Sequence, residues 1–200
     1  MMENNERLKK QMEFALEMDK EKGIGRQTYI LDAIRKENDA EHGWHLALMT
    51  MLLSEYSNEK IDVARTMSMV VIHDIIEIDA GDTYAYDDAG NATKAEREQK
   101  AADRIFGMLP ADQAEYFMNL WLEFEDAKTP EAKFAHTMDS VQPLMLNDAS
   151  NGLAWREHGV AASKVRERAE RKIKPGSETL YNMVLDIIDN NIKKGNLKDC

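Results

Sequence analysis

The 200-residue chain contains little cysteine and little proline. Its single cysteine, Cys200, excludes an intramolecular disulfide framework and a zinc site built from several cysteines. We therefore expect a reducing, cytoplasmic location. Proline occurs only four times, and no segment of useful length shows the alternation of apolar and polar residues that predicts a strand. The sequence therefore predicts an all-α protein.

Long hydrophobic runs are also missing. No run approaches the roughly 18 uninterrupted apolar residues that a membrane-spanning helix needs, and the amino terminus lacks the apolar segment of a secretory signal. The most apolar stretch, residues 67–78, is interrupted by His73, Asp74 and Glu77. We expect no association with membranes.

Positive charge is scarce as well. The chain has 26 lysine and arginine residues against 37 aspartate and glutamate residues, and its net charge is −11. Duplex nucleic acid requires a basic surface that displaces counterions, so we expect no partner of this kind. A small anionic substrate is compatible with this charge, because a bound cation can supply local positive charge. The basic stretch 165–174 predicts a solvated helix face.

The remaining composition is that of an ordinary globular chain, with 43% hydrophobic and 32% charged residues. Its length predicts one domain, residues 1–200. Apolar periodicity predicts early helices at about 40–56 and 62–78, and the second of these is apolar nearly all round, as a central buried helix should be. Residues 80–93 predict a loop, in which Tyr84 and Tyr86 could cover a site.

Proline and capping residues predict where later helices begin. Thr129 and Pro130 predict the N-cap and the first turn of a helix. Pro143 predicts a bend in that helix, or the end of a segment near Asp139. Ser177 predicts the N-cap of a last helix.

The most informative residues are the ionisable side chains inside the apolar helix 62–78. Burying His73 and Asp74 there is unfavourable without partners, and a divalent metal ion is a common solution. Glu77 lies one helical turn after His73, and His42 and His45 share a face of the preceding helix. Imidazole and carboxylate groups together suit Mn, Co, Fe, Ni or Zn. Spacing alone leaves two interpretations open, because a histidine on an apolar helix is often a hydrogen-bonded core residue.

Three segments occur in an order that resembles a known family. Residues 35–42 (RKENDAEH) place an arginine, a Glu-Asn arrangement and then Glu-His at the first histidine. Residues 73–82 (HDIIEIDAGD) contain His-Asp, a trailing glutamate and Gly-Asp, and residues 131–139 (EAKFAHTMD) end in an aspartate. Over roughly residues 20–190 this order is similar to that of the 5′-deoxynucleotidase branch of the HD-domain metal-dependent phosphohydrolases.

The resemblance implies a single-domain helical bundle of the HD type that binds one divalent metal ion, with Mn, Co, Fe, Ni, Zn and Mg all open as its identity. The implied metal ligands are His42, His73, Asp74 and Asp139. Glu77 and Asp82 would be the acid–base and water-positioning carboxylates, and Arg26 is the best match for a substrate-contacting arginine. Lys133 is a further candidate for a phosphate contact, since an acidic enzyme needs a cation for its substrate. The implied substrate is a small phosphorylated molecule, a nucleoside 5′-monophosphate, and the branch tends to form homodimers.

Other functions are compatible with parts of this pattern. A hydrolase of alarmones or cyclic nucleotides shares the fold, but alarmone hydrolases typically carry adjacent Glu-Asp where this chain has Glu77 followed by isoleucine. A diiron oxygenase typically carries Gly-Lys after His-Asp, where this chain has two isoleucines. A helical scaffold with a structural metal would not need Glu77 and Asp82 besides a full ligand set. His45 is expected to support the ligands or to pack in the core, and His136 to support Asp139 or to be exposed.

Overall fold

The computed structural model describes residues 2–82 and 93–199. Within these residues it contains ten α-helices and one two-stranded sheet, so the predicted all-α class is confirmed. The helices are α1 (Met2–Glu17), α2 (Asp39–Leu53), α3 (Val63–Ile72), α4 (Glu77–Ala80), α5 (Lys94–Phe106), α6 (Ala111–Asp126), α7 (Pro130–Ala149), α8 (Leu153–His158), α9 (Ala162–Lys172) and α10 (Glu178–Lys193). Short 3-10 helices follow α1 and α2, at Met18–Gly23 and Ser54–Tyr56. Tyr84, Tyr86 and Cys200 lie outside the described residues.

A small hairpin precedes α2. Strand β1 (Gly25–Tyr29) pairs antiparallel with β2 (Lys36–Asn38). The expectation that the chain has no strand was wrong here, because strands of five and three residues are too short to show a clear alternation. Asn38 then caps α2. Its side chain accepts a hydrogen bond from the Glu41 N–H at 2.9 Å, and the Glu41 carboxylate accepts one from the Asn38 N–H at 3.1 Å. This capping box determines where α2 begins, and therefore where its first buried histidine lies.

The predicted helix 62–78 is interrupted. Its first part, α3, begins after its N-cap Asp62 and ends at Ile72. A tighter turn follows, in which the N–H of Glu77 donates to the carbonyl of Asp74, three residues earlier, at 2.8 Å. In a regular α-helix two adjacent side chains point about 100° apart. At this turn the two side chains nevertheless converge, with Nε2 of His73 3.1 Å from Oδ2 of Asp74.

Helix α7 runs through the middle of the bundle and packs against α2, α3, α6, α9 and α10. It begins as predicted: Thr129 Oγ1 accepts a hydrogen bond from the Ala132 N–H at 3.2 Å, and Pro130 occupies the first turn. The helix continues through Pro143 to its end, so no segment ends near Asp139, which was one of the two outcomes expected there. This continuity carries the aspartate into the centre of the bundle.

The last helix packs on this centre through one face. It begins at its predicted N-cap, where Ser177 Oγ accepts a hydrogen bond from the Leu180 N–H at 3.1 Å. Its buried residues Leu180, Val184 and Ile188 are spaced by four residues and therefore share that face. In the described part of the chain, no helix combines the length and the apolar character needed to cross a bilayer.

Candidate active site

The four side chains that the resemblance implies as metal ligands meet in the core. Helix α2 contributes His42, the turn after α3 contributes His73 and Asp74, and α7 contributes Asp139. Nε2 of His42 lies 3.3 Å from Asp139 Oδ1 and 3.9 Å from Asp74 Oδ2. Nε2 of His73 lies 3.1 Å from Asp74 Oδ2 and 3.8 Å from Asp139 Oδ1. The fold thus brings together groups that are up to 97 residues apart in sequence.

The backbone orients the imidazole of His73. Its Nδ1–H donates to the carbonyl of Val70 at 2.9 Å, and its Nε2 atom has no hydrogen-bond partner among the described residues. Nε2 is therefore the ring nitrogen that faces Asp74, and it would offer its lone pair to a metal ion bound in place of a proton. Histidine ligands of metals are commonly oriented in this way, by a hydrogen bond on the far ring nitrogen.

His42 is oriented by a side chain instead. Its Nδ1 atom lies 3.1 Å from Oε1 of Gln142, and Nε2 of Gln142 donates to the Glu37 carboxylate at 2.8 Å. Because the amide nitrogen of Gln142 faces that carboxylate, its oxygen accepts the Nδ1–H of His42. Nε2 of His42 therefore faces Asp139, whose Oδ1 atom lies within hydrogen-bond distance at 3.3 Å. His45 Nδ1 lies 3.2 Å from Nε2 of Gln142, in line with the supporting role expected for it.

The charges in this cluster favour added positive charge. Burial alone would lower the pKa of His73, but Asp74 and Asp139 outweigh this effect and raise the pKa well above its ordinary value. Burial would raise the pKa of Asp74, but His73 and Arg26 outweigh it and lower that pKa. Two imidazole nitrogens that face two ionised carboxylates need protons or a cation between them. Since imidazole and carboxylate donors suit borderline divalent metals, these residues fit a divalent metal ion.

Arg26, on β1, is part of the same cluster. Its Nη1 atom lies 2.8 Å from Asp74 Oδ2 and 3.1 Å from Asp39 Oδ1. Its Nε atom lies 3.5 Å from Glu37 Oε1. Ligand atoms of Asp39, Asp74 and Glu77 also lie within 4.8 Å of one another, which would allow an ion there. Arg26 already contacts two of these three carboxylates, those of Asp39 and Asp74, and offsets part of their negative charge.

Two further carboxyl groups line a cavity beside the cluster, in keeping with the motif. Glu77 is 4% exposed, and within residues 2–82 and 93–199 its Oε2 atom has no hydrogen-bond partner. Burial, reinforced by the charges of Asp74 and Asp82, raises the pKa of Glu77 to about 10. Burial also raises the pKa of Asp82, although Arg26 opposes this effect. Without a metal ion, burial and the neighbouring carboxylates therefore disfavour the charged forms of both Glu77 and Asp82.

The cavity has a volume of about 480 Å³, within the range of sites that bind small organic ligands. Its acidic part is lined by His73, Asp74, Glu77, Asp82 and Asp139. Its apolar part is lined by Leu144, Trp155, Val165 and Ile173, among others. Helix α9 contributes three cations, Arg168, Arg171 and Lys172. The basic stretch 165–174 is therefore not simply a solvated face, which corrects the expectation for it.

Lys133 lies away from the cavity. Its Nζ atom is 3.7 Å from Glu59 Oε1, and it is not among the residues that line the cavity. This position does not support the expected contact with phosphate. The missed cations of α9 were visible in the sequence as a basic stretch, but their direction depends on how α9 packs.

His136 is buried, so of the two outcomes expected for it, support of Asp139 or exposure, exposure was wrong. It is 5% exposed, and its Nε2–H donates to the carbonyl of Phe124 at 2.8 Å. Its Nδ1 atom lies 3.3 Å from Nζ of Lys172 and can accept a hydrogen bond from it. His136 therefore connects the core to a cation of α9.

The chain is similar to several known proteins. A family model for the HD domain matches residues 18–181. In sequence, this chain is 46% identical to a predicted metal-dependent phosphohydrolase from Magnetospirillum magnetotacticum MS-1. The crystal structure of that protein matches this one with a TM-score of 0.91, over 96% of this chain and 95% of that one. The 5′-deoxynucleotidase HDDC2 of Danio rerio is 28% identical over 109 residues, and the 5′-deoxynucleotidase hdd1 of Schizosaccharomyces pombe is 32% identical over 114 residues. These two matches cover 54% and 55% of this chain and 53% and 56% of the relatives, so the chain spans about half the length of these curated relatives.

Proposed function

Because this chain belongs to the HD domain family, we propose that it is a metal-dependent phosphohydrolase that releases phosphate from nucleoside 5′-monophosphates, using one divalent metal ion. The observation that carries the proposal is the pair of Nε2 atoms, from His42 and His73, that face the carboxylates of Asp74 and Asp139 beside the cavity. A structural metal site would not require the two further carboxyl groups of Glu77 and Asp82 beside it.

The four ligand groups His42, His73, Asp74 and Asp139 would hold the metal ion. When bound, a divalent ion neutralises charge on phosphoryl oxygens and lowers the pKa of a water molecule. Arg26 holds Asp74 in place through the 2.8 Å contact with Oδ2. The guanidinium group also offsets the negative charge that would otherwise repel a phosphate.

Two carboxyl groups of the cavity would move the protons. Glu77 orients the attacking water and accepts its proton, since nearby positive charge lowers the pKa of a carboxyl group and frees it to act as a base. The water oxygen forms a bond to phosphorus while the ester P–O bond breaks. Asp82 donates a proton to the leaving oxygen, for which its raised pKa suits it. The products are a nucleoside and inorganic phosphate.

A nucleotide is the substrate class that the cavity suits best. The acidic part beside the metal ligands would receive the phosphate, and the apolar part with Leu144 and Trp155 offers a surface for a sugar and a base. The names of the Danio rerio and Schizosaccharomyces pombe relatives support a nucleotide substrate and a preference for deoxyribonucleotides. A substrate ranking decides between ribo- and deoxyribonucleotides.

Phosphate release from a panel of ribo- and deoxyribonucleoside monophosphates tests the proposal. The protein is first treated with a chelator and then reloaded separately with Mn, Co, Mg or Zn. We expect metal-dependent release that disappears in Asp74→Ala and persists in Asp126→Ala, a surface carboxylate paired with Lys128. If protein shown to contain metal releases no phosphate with any of the four ions, the proposal fails, and loss of thermal stability on chelation would then indicate a structural metal.

A cytoplasmic homodimer completes the proposal. Exposed apolar side chains at Trp44, Leu48 and Leu52 are spaced by four residues along α2 and form one apolar stripe. Light scattering coupled to gel filtration should give the mass of a dimer, and Leu48→Glu should shift it toward the monomer. A monomeric mass for the unchanged protein would refute this part.

A further inference from the structure

The cations of α9 divide into two sets. Arg168, Arg171 and Lys172 line the cavity, and their spacing of three and four residues places them on one face of the helix. Arg166 belongs to the other set, because its guanidinium pairs with Asp189 of α10. One helix therefore carries both cavity cations and a cation that is already paired elsewhere.

The cavity set lies beside the metal cluster. Nη2 of Arg168 is 3.6 Å from Asp139 Oδ2, and its side chain is 26% exposed. This distance is longer than a hydrogen bond, so the contact is an ion pair without a direct hydrogen bond between these two atoms. Lys172 Nζ lies 3.3 Å from Nδ1 of His136, and the ring of His136 stacks on Phe124 at 4.1 Å. Because Phe124 also contacts His73, with ring centroids 4.9 Å apart, Lys172 is held close to the cluster.

A phosphate that enters the cavity meets strong negative charge. The carboxylates of Asp74, Asp82 and Asp139 line it, and like charges at this range repel. The contacts of Arg26 are with carboxylates, and Lys94 pairs with Glu98 at 3.2 Å. The cations of α9 are therefore the groups best placed to attract an anion.

We propose that Arg168 and Lys172, with the more exposed Arg171, form an anion subsite that binds the reacting phosphate group of a phosphomonoester. The subsite rests on the proposed function, since its ligand is the substrate phosphate. A guanidinium group offers a planar pair of donors that matches two phosphate oxygens, and the ammonium group adds a point charge. Inorganic phosphate, as the product, should bind in the same place.

Binding of inorganic phosphate by calorimetry tests the subsite directly. The Mn-loaded protein is compared with Arg168→Gln, Lys172→Gln and the matched control Arg166→Gln from the same helix. A hydrogen bond between charged groups is worth a change of about 10- to 100-fold in affinity. We expect the dissociation constant for phosphate to rise by about that factor in the first two variants and to be unchanged in the control. Equal affinities in all four proteins would overturn the proposal.

Two further measurements, of metal content and of substrate range, distinguish binding of the reacting phosphate from two other roles of these cations. If Arg168 only positions Asp139, Arg168→Gln will lose metal affinity while the metal-loaded fraction binds phosphate normally, which overturns the subsite. If the cations instead bind a second phosphate, kcat/KM for a 3′,5′-bisphosphate will fall while that for a 5′-monophosphate is unchanged, which also overturns it. The expected result is a rise in KM for the monophosphate with an unchanged metal affinity.

Failure of the function and failure of the subsite give different results. If the unchanged protein hydrolyses no monophosphate, but Arg168→Gln and Lys172→Gln bind phosphate more weakly than Arg166→Gln, the subsite stands and the proposed function falls. If the unchanged protein hydrolyses monophosphates and the variants match it in phosphate affinity and KM, the function stands and the subsite falls.

Discussion

His73 and His136 are both 5% exposed and both contact the ring of Phe124, yet their surroundings shift their pKa values in opposite directions. Burial lowers both values. Around His73 the carboxylates of Asp74 and Asp139 outweigh burial and raise the pKa well above its ordinary value. Around His136 there is no such reversal: burial is reinforced by a nearby lysine, and the pKa falls to about 4.

The hydrogen bonds of the two rings match this difference. His73 donates from Nδ1 to Val70, which leaves Nε2 free to face carboxylates. His136 donates from Nε2 to Phe124, which leaves Nδ1 to accept from Lys172. Burial therefore does not distinguish a candidate ligand from a structural histidine. The two kinds of histidine are distinguished by the charge that faces the second ring nitrogen.

The largest expected difference comes from replacing each histidine with glutamine. His73→Gln removes an imidazole that faces two carboxylates, so we expect loss of the metal ion. We also expect kcat/KM to fall by more than about 100-fold, the upper end of the loss that follows when only the partner of a ligand is removed. His136→Gln keeps a donor for the Phe124 carbonyl and should have a small effect by comparison. Metal content per chain and steady-state phosphate release measure both. Equal losses in the two variants would mean that both histidines act through packing alone.

The comparison extends to two buried carboxyl groups, Glu77 and Glu98. Burial raises the pKa of both, but Asp74 reinforces the effect at Glu77, whereas Lys94 opposes it at Glu98. We expect Glu77→Gln to retain the metal and to lose kcat by about 100- to 10,000-fold, the range for a general acid or base. Glu98→Gln should lose far less. Loss of metal from Glu77→Gln would instead identify Glu77 as a ligand.

The candidate ligands could be predicted from sequence because they lie in short motifs with a fixed order. His73 and Asp74 are also conspicuous as ionisable residues in an apolar stretch. Helix starts were predictable for a similar local reason, since Thr129 and Ser177 cap their helices through hydrogen bonds to residues three positions ahead.

Other features depend on contacts that no local pattern shows. The orienting role of Gln142 joins it to His42 across 100 residues of sequence, and a glutamine in the middle of a helix carries no signal of its own. The interruption at residues 73–76 has no glycine or proline to mark it. The hairpin before α2 was missed because its strands are too short for a periodic pattern.

A smaller effect is expected at Gln142, which orients His42 as the Val70 carbonyl orients His73. The carbonyl of Val70 belongs to the backbone and is kept in any substitution, whereas the side chain of Gln142 can be replaced. Gln142→Leu should weaken metal binding by about 10- to 100-fold, as is typical when the partner that orients a histidine ligand is lost. Ser140→Ala is the matched control, because Ser140 is a buried polar residue of the same helix whose Oγ has no hydrogen-bond partner. Competitive metal titration measures both variants, and equal metal affinities would refute the orienting role.

The smallest expected effect is a loss of stability at low pH, which arises because His136 is neutral in the folded protein. Its pKa is about 4 in the folded protein, below the ordinary value of 6.5. Between these two values the unfolded chain binds a proton that the folded chain does not, so this contribution to stability is present above about pH 6.5 and is lost as the pH falls toward 4. From pH 7 to pH 5 the loss amounts to about 2 kcal/mol for this group alone.

Urea unfolding of the metal-free protein at pH 7 and pH 5 isolates this contribution when the unchanged protein is compared with His136→Gln. Glutamine does not titrate, while the other groups that do, including His42 and His73, are present in both proteins. The free energy of unfolding should therefore fall more steeply with acid in the unchanged protein, by about 1–2 kcal/mol over this interval. Parallel pH profiles would mean that His136 takes up a proton in the folded state as readily as in the unfolded one. Burial and the lysine beside it would then not keep His136 neutral, and the contrast with His73 would lose its basis.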